Sequence, residues 1–253
     1  MTTMAASERT QPRRSALERS TAMWLAATEY QRYVEHLGSL STEDWTRPTD
    51  CPGWDVRAMA THVLGMMEMA ASIREGARQR RAARAEGGVF VDALTALQVA
   101  ERVAMRPDEI IARMVRMAPK AVRGRKNTPW FVRRRRMPDV DLVGGGKEDW
   151  TLGYLIDTIL TRDPWMHRVD SSRATGRPMR LTAEHDGLLV ADVVLEWAGR
   201  HGQPCTLVLD GPAGGHWSFG AGGPTIELDA IEFCRILSRR AAGEDLLGFE
   251  VPF

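Results

Sequence analysis

Cysteine is scarce in this 253-residue chain. Cys51, Cys205 and Cys234 lie far apart, are odd in number, and form no CxxC pair. That argues against a disulfide framework, leaves no paired thiols for a zinc finger, and fits a reducing cytoplasm. Long apolar runs are also missing. No stretch approaches about 18 uninterrupted apolar residues, so no membrane-spanning helix is expected. Arg13 and Arg14 are followed by no apolar segment, so no signal peptide is expected either. Net charge is nearly absent at +1, which removes any strong overall pull on nucleic acid or on a membrane. Lysine is almost missing: only Lys120, Lys126 and Lys147 stand among 34 basic residues. There is no internal repeat and no low-complexity segment. What remains is an ordinary globular composition, 43% hydrophobic and 26% charged, with length for one large domain or two small ones.

The chain opens with a polar start over residues 1 to about 12. Leu17, Met23, Trp24, Ala27, Tyr30, Val34 and Leu37 then recur at three- and four-residue steps, which predicts a helix from Ala16 to Leu37 capped by Gly38. Pro48, Pro52 and Gly53 make a loop. A long helix is expected from Asp55, apolar through about Ile73 and basic beyond, stopped by Gly87–Gly88. A third helix runs from about Phe90 to Met117, with Pro107 as a fresh start within it. From Ala118 to Gly146 the periodicity fades, and this stretch reads as an irregular loop. A further helix spans the region from Trp150 to Gly176, with Leu152, Leu155, Ile156, Ile159 and Leu160 on its buried face.

After Pro178 the pattern changes. A helix over Thr182–Gly199 precedes three short strands in PCTLVLDG, GHWSFG and TIELDA, and then a terminal helix over Ile231–Arg240. The expected architecture is mainly α: a helical domain over residues 13–180 followed by a smaller α+β domain over 181–253.

Asp163 and His167 are four residues apart, so a continuous helix places both on one face. Such a pair can grip a divalent ion if a third ligand arrives from another helix, and His62 is the candidate. Two imidazoles and one carboxylate would leave an open position for Lewis-acid chemistry. A competing reading is equally physical. Asp163 before Pro164 looks like an N-cap followed by proline at the first helical position, and His62 could be a hydrogen-bonded core histidine. Asp170, one turn past His167, could orient that imidazole or pair with Arg168 or Arg173. The Arg133–Arg136 run reads either as a solvated loop or as an anion-binding patch; no nucleic-acid motif accompanies it. Cys51 has no neighbouring base in sequence and reads as structural. Trp54 reads as a helix-base or core residue, and His216 with Trp217 as part of a glycine-rich hairpin.

Three stretches in order, CPGWDVRAMATHVLG, WTLGYLIDTILTRDPWMHRVDSSRATGRP and GQPCTLVLDGPAGGHWSFG, give a resemblance to the mycothiol-dependent maleylpyruvate isomerase family over residues 16 to 240. The resemblance implies a DinB-like four-helix bundle with a small C-terminal α+β domain. It implies a divalent metal, usually Zn2+, on His62, Asp163 and His167, with mycothiol as the thiol cofactor. Where the family's isomerase carries glutamate, this chain has Asp163, one methylene shorter. The implied chemistry is addition of a thiolate to an electrophilic carbon, followed by rotation and elimination in an isomerase, or by release of the adduct in an S-transferase. Alternatives kept open are a metal-dependent hydrolase and a non-catalytic module for a small ligand. The partners expected are a small-molecule substrate and a thiol, with the chain a monomer or small homo-oligomer.

Overall fold

Residues 11–253 are described by the structure, a computed structural model; most of the polar start lies outside them. In chain order come α1 (Arg19–Gly38), a single 3-10 turn (Asp44–Thr46), α2 (Val56–Ala71), α3 (Ile73–Glu86), α4 (Phe90–Ala100) and α5 (Pro107–Lys126). A short α6 (Trp130–Arg133) leads into the antiparallel hairpin β1 (Arg136–Asp141) and β2 (Lys147–Thr151). Then α7 (Leu152–Tyr154), a π turn (Leu155–Ile159) and α8 (Leu160–Thr175) make one continuous helical rod. A second π turn (Ala183–Gly187) enters α9 (Leu188–His201). The strands β3 (Cys205–Asp210), β4 (Gly215–Phe219) and β5 (Thr225–Asp229) precede α10 (Ala230–Leu237) and a final 3-10 turn. Among the described residues no helix is long and apolar enough to cross a membrane.

The bundle is α1, α2, α5 and α8, with α3 and α4 packed outside α2. Its core holds Tyr30, Tyr33 and Leu37 from α1, Val56, Ala60, Val63, Leu64 and Met67 from α2, and Ile110, Met114 and Ala121 from α5. The C-terminal part is a three-stranded sheet in the order β4-β3-β5, antiparallel on one side and parallel on the other. One apolar cluster joins both parts. Leu25, Trp165, Met166 and Val169 of the bundle pack with Trp197, Leu207, Phe233 and Leu237. The fold is therefore mainly α, a four-helix bundle carrying a small α+β unit on its α1–α8 side.

Two expectations are corrected. The helix begun at Asp55 does not run unbroken to Gly87. Ser72 adopts an extended conformation (φ −143°, ψ 119°), and its hydroxyl accepts from the Glu75 N–H, so one residue closes α2 and caps α3. The stretch from Ala118 to Gly146 is not an irregular loop. α5 continues through Pro119, which lies on the exposed side of the helix. Gly124 is no breaker: a Cβ there would meet the Ala70 carbonyl at 1.9 Å, so glycine lets α5 cross the end of α2 in close contact. Asp139 (φ 54°), Gly145 and Gly146 (both φ 90°) then supply the left-handed residues the β1–β2 hairpin needs.

Candidate metal centre

His62 is set by the loop before it. Cys51, Pro52, Gly53 and Trp54 form a turn closed by the Trp54 N–H to the Cys51 carbonyl at 3.0 Å, with Pro52 second and Gly53 third at φ 79°. Proline then left-handed glycine is the signature of a type II turn. The Asp55 carboxylate accepts from the Ala58 N–H at 2.8 Å and starts α2. His62 follows on its second turn, buried at 4% exposure.

Asp163 and His167 come from α8, and the helix does not restart between them. Pro164 sits inside α8 and has no N–H for the Leu160 carbonyl. Arg125, buried on α5, supplies the missing donor: its NH1 donates to that carbonyl at 2.9 Å, its Nε to the Ile156 carbonyl at 2.9 Å, and its NH2 to the Thr161 hydroxyl at 2.6 Å. The π turn and the proline are thus both satisfied from the neighbouring helix. The Asp163 carboxylate is free to face the bundle instead of capping a helix end.

The three side chains meet. Asp163 Oδ1 lies 3.5 Å from His62 Nε2 and 3.4 Å from His167 Nε2, and one ligand atom from each residue falls within 4.8 Å of the others. Two atoms bound to a tetrahedral zinc ion at roughly 2.0–2.1 Å stand roughly 3.3 Å apart. The two carboxylate–imidazole distances therefore match the spacing of ligands around one ion, and it is the nitrogen–carboxylate set that zinc accepts. Burial opposes ionisation of Asp163, but the His167 and His62 imidazoles outweigh it and hold its carboxyl well below the usual carboxylate range. Burial likewise opposes the His167 imidazolium, yet Asp163 and then Asp170 raise its pKa well above the ordinary value. Asp163 is the most exposed of the three, its side chain 21% accessible, so approach is from its side. Trp54 covers another side, its ring centroid 5.3 Å from His62 and 5.9 Å from His167.

The outer nitrogens are held as metal-binding histidines require. His62 Nδ1 lies 2.7 Å from Gln98 Oε1, and His167 Nδ1 lies 3.3 Å from Asp170 Oδ2. With Nδ1 directed to Gln98 or Asp170 in each case, it is Nε2 of both imidazoles that faces Asp163, the nitrogen whose lone pair an ion would take once it is deprotonated. Gln98 is reached by a specific accommodation. Its Nε2 donates to Gln79 Oε1 at 2.9 Å, and its side-chain carbons fill the space over Gly65, where a Cβ would meet them at 2.6–2.9 Å. Gln98→Leu and Gly65→Ala should each weaken divalent-ion binding by about 10- to 100-fold. Cobalt titration of the metal-free forms measures this; affinities equal to wild type would show that Gln98 does not hold His62.

Other expectations divide. Asp170 pairs with neither Arg168 nor Arg173; it takes His167 and Arg240 instead. Cys51 packs against the same network, its Sγ 3.8 Å from Asp170 Oδ2 and 3.6 Å from Arg240 Nη2. The Arg133–Arg136 run is largely engaged: Arg133 contacts Asp157, Arg136 pairs with Asp149 at 2.9 Å, and Arg134 lies over the Trp130 ring. His185 Nε2 meets Glu29 at 2.8 Å, His201 packs edge-on against Trp197, and His216 is exposed on β4, so none of them joins the centre. Gln98 and Arg240 were missed by sequence reasoning. A glycine inside the apolar face of α2 was the available signal for Gln98; nothing local marked Arg240.

A family model described as the mycothiol maleylpyruvate isomerase N-terminal domain matches residues 26–171. A crystal structure of the mycothiol-dependent maleylpyruvate isomerase aligns with 89% of this chain and 91% of its own, at 14% identity and a TM-score of 0.55. A histidine-to-alanine mutant of the mycothiol-dependent maleylpyruvate isomerase aligns with the same coverage at 13% identity and a TM-score of 0.52. At such identities the likeness is one of fold. No curated protein matches the sequence.

Proposed function

The chain belongs to the mycothiol maleylpyruvate isomerase N-terminal domain family, and on that premise we propose that it is a metal-dependent enzyme using mycothiol, a low-molecular-weight thiol. Its reaction is isomerisation or S-transfer on a small electrophile such as a conjugated carbonyl compound. The observation that carries this reading is the convergence of His62, Asp163 and His167 on one point, with both Nδ1 atoms occupied elsewhere.

In this reading His62, Asp163 and His167 hold the divalent ion, zinc by its donor set. A bound ion would supply Lewis acidity that keeps the cofactor sulfur as thiolate at neutral pH. The protein's own residues do the rest. Gln98 and Asp170 fix the imidazoles, Trp54 keeps water from one flank, and the exposed edge at Asp163 admits the thiol. Held there, mycothiol would supply a nucleophilic sulfur for reversible addition to an electrophilic carbon, the chemistry that an isomerase or an S-transferase of this kind needs. The cysteines at 51, 205 and 234 are free, as a reducing cytoplasm would keep them.

The test is elemental analysis of the purified chain, followed by turnover of conjugated carbonyl electrophiles with and without mycothiol. About one divalent ion per chain and turnover that depends on the thiol are expected. Equal turnover without thiol would replace this reading with hydrolysis.

A further inference from the structure

The end of α10 turns on a residue that resists the turn. Arg239 sits at φ 64°, its N–H bonding the Ile236 carbonyl at 3.0 Å while the Arg240 N–H bonds the Arg235 carbonyl at 2.9 Å. This pair of bonds usually closes on glycine, because a side chain in the left-handed region is strained. Here the strained residue is tied down: the Arg239 side chain reaches the Gly248 carbonyl at 3.0 Å and Glu250 at 3.3 Å. Backbone strain of this kind persists where the surroundings enforce it, and it marks places where direction matters.

The turn aims Arg240 at the bundle. Its Nε donates to both carboxylate oxygens of Asp170, at 2.8 and 2.9 Å, and its NH2 lies 3.6 Å from Cys51 Sγ. Asp170 has no solvent exposure, and its Oδ2 is the atom facing His167 Nδ1 at 3.3 Å. A buried carboxylate needs a counter-charge to stay where it is. Arg235, one turn earlier, pins the adjoining loop through Asp50 at 2.9 Å. The arrangement is a relay from α10 through Asp170 to His167.

We propose that Arg240 is a positioning residue of the metal centre, clamping Asp170 so that His167 presents Nε2 to the ion. The C-terminal α+β part thereby completes a centre whose three ligands all lie in the bundle. This inference rests on the metal reading above.

Cobalt(II) titration of the metal-free full chain tests it, with the visible spectrum of the bound ion as a second readout. Arg240→Gln should weaken cobalt affinity by about 10- to 100-fold and alter the spectrum, and Arg240→Lys should lose part of that. Asp170→Asn should show the same loss, and Arg240→Gln added to Asp170→Asn should cost nothing more, since both act along one route. Thermal unfolding of the metal-free variants checks the fold; if Arg240→Gln does not fold, Arg240→Lys and the Asp170→Asn pair with it decide the matter. Wild-type affinity and spectrum in the Arg240 variants would overturn the proposal, including the case where only KM for the electrophile rises, which would make Arg240 a substrate contact. A wild-type chain that takes up no cobalt would instead overturn the metal reading and this one together.

Discussion

Alanine at His167 should leave the purified chain with almost no divalent ion and no thiol-dependent turnover. The loss should exceed the roughly 100-fold that removal of an orienting neighbour can cause, because a ligand itself is removed. Elemental analysis after dialysis and cobalt titration measure it; a variant that retains about one ion per chain would show the ion to lie elsewhere. The same residue sets a pH dependence. Without an ion, Asp163 keeps a proton on His167 well above the ordinary imidazole range. An ion arriving at Nε2 must expel that proton, so binding should release protons at neutral pH and weaken as pH falls. Calorimetry in buffers of different ionisation heat reads the release directly. The stability of the metal-free chain has the opposite sign. The raised His167 contributes fully below the unfolded value near 6.5 and is lost as pH rises through its folded value. The depressed Asp163 contributes above the ordinary carboxylate range and is lost in strong acid.

Methionine at Arg168 should destabilise the fold by about 3–5 kcal/mol, a large part of the roughly 5–15 kcal/mol that holds a domain together. Arg168 is buried beside His167 on α8. It donates to both oxygens of Glu29 on α1 at 2.8 Å, to Asp186 Oδ1 at 2.8 Å and to the Arg180 carbonyl at 2.9 Å. Glu29 and Asp186 have no solvent exposure, so deleting the guanidinium strands a buried carboxylate. Asp186 keeps Arg32, the Trp165 indole and the Thr182 N–H; among the described residues Glu29 keeps only His185. Replacing Glu29 together with Arg168 by methionine should therefore recover much of the loss. Urea unfolding compares these with Arg106→Ala, whose ion pair with Asp108 is open to water and worth at most about 1 kcal/mol. A loss at Arg168 as small as that at Arg106 would contradict the argument.

The candidate ligand positions were legible because each sits in a local pattern. Asp163 and His167 share a helical face by count alone, and His62 follows a proline–glycine turn and a capped helix start. What the residues left open was whether Asp163 caps a helix. The answer lies in Arg125, more than thirty positions away, which replaces the hydrogen bond Pro164 cannot make. Long-range donors of this kind leave no trace in periodicity, and Arg240 was invisible for the same reason, while Gln98 was marked only indirectly, by the glycine at position 65 that it packs over. Pro119 and Gly124 misled because both are breakers by composition, yet one faces solvent and the other meets a crossing backbone. Ser72 misled in the other direction: nothing beside it announces a stop, and the break shows only once its hydroxyl is seen to cap α3.

The wide turn at Leu155–Ile159 has a consequence for how the rod is counted. An α-helix advances about 100° per residue, and a π turn carries one residue more than its neighbours in the same circuit. Everything beyond it is offset by that increment relative to everything before. The compass bearing of Asp163 and His167 is thus set by a one-residue surplus upstream. A relative lacking the surplus would have to slide its acid and imidazole along by one place to address the same interior.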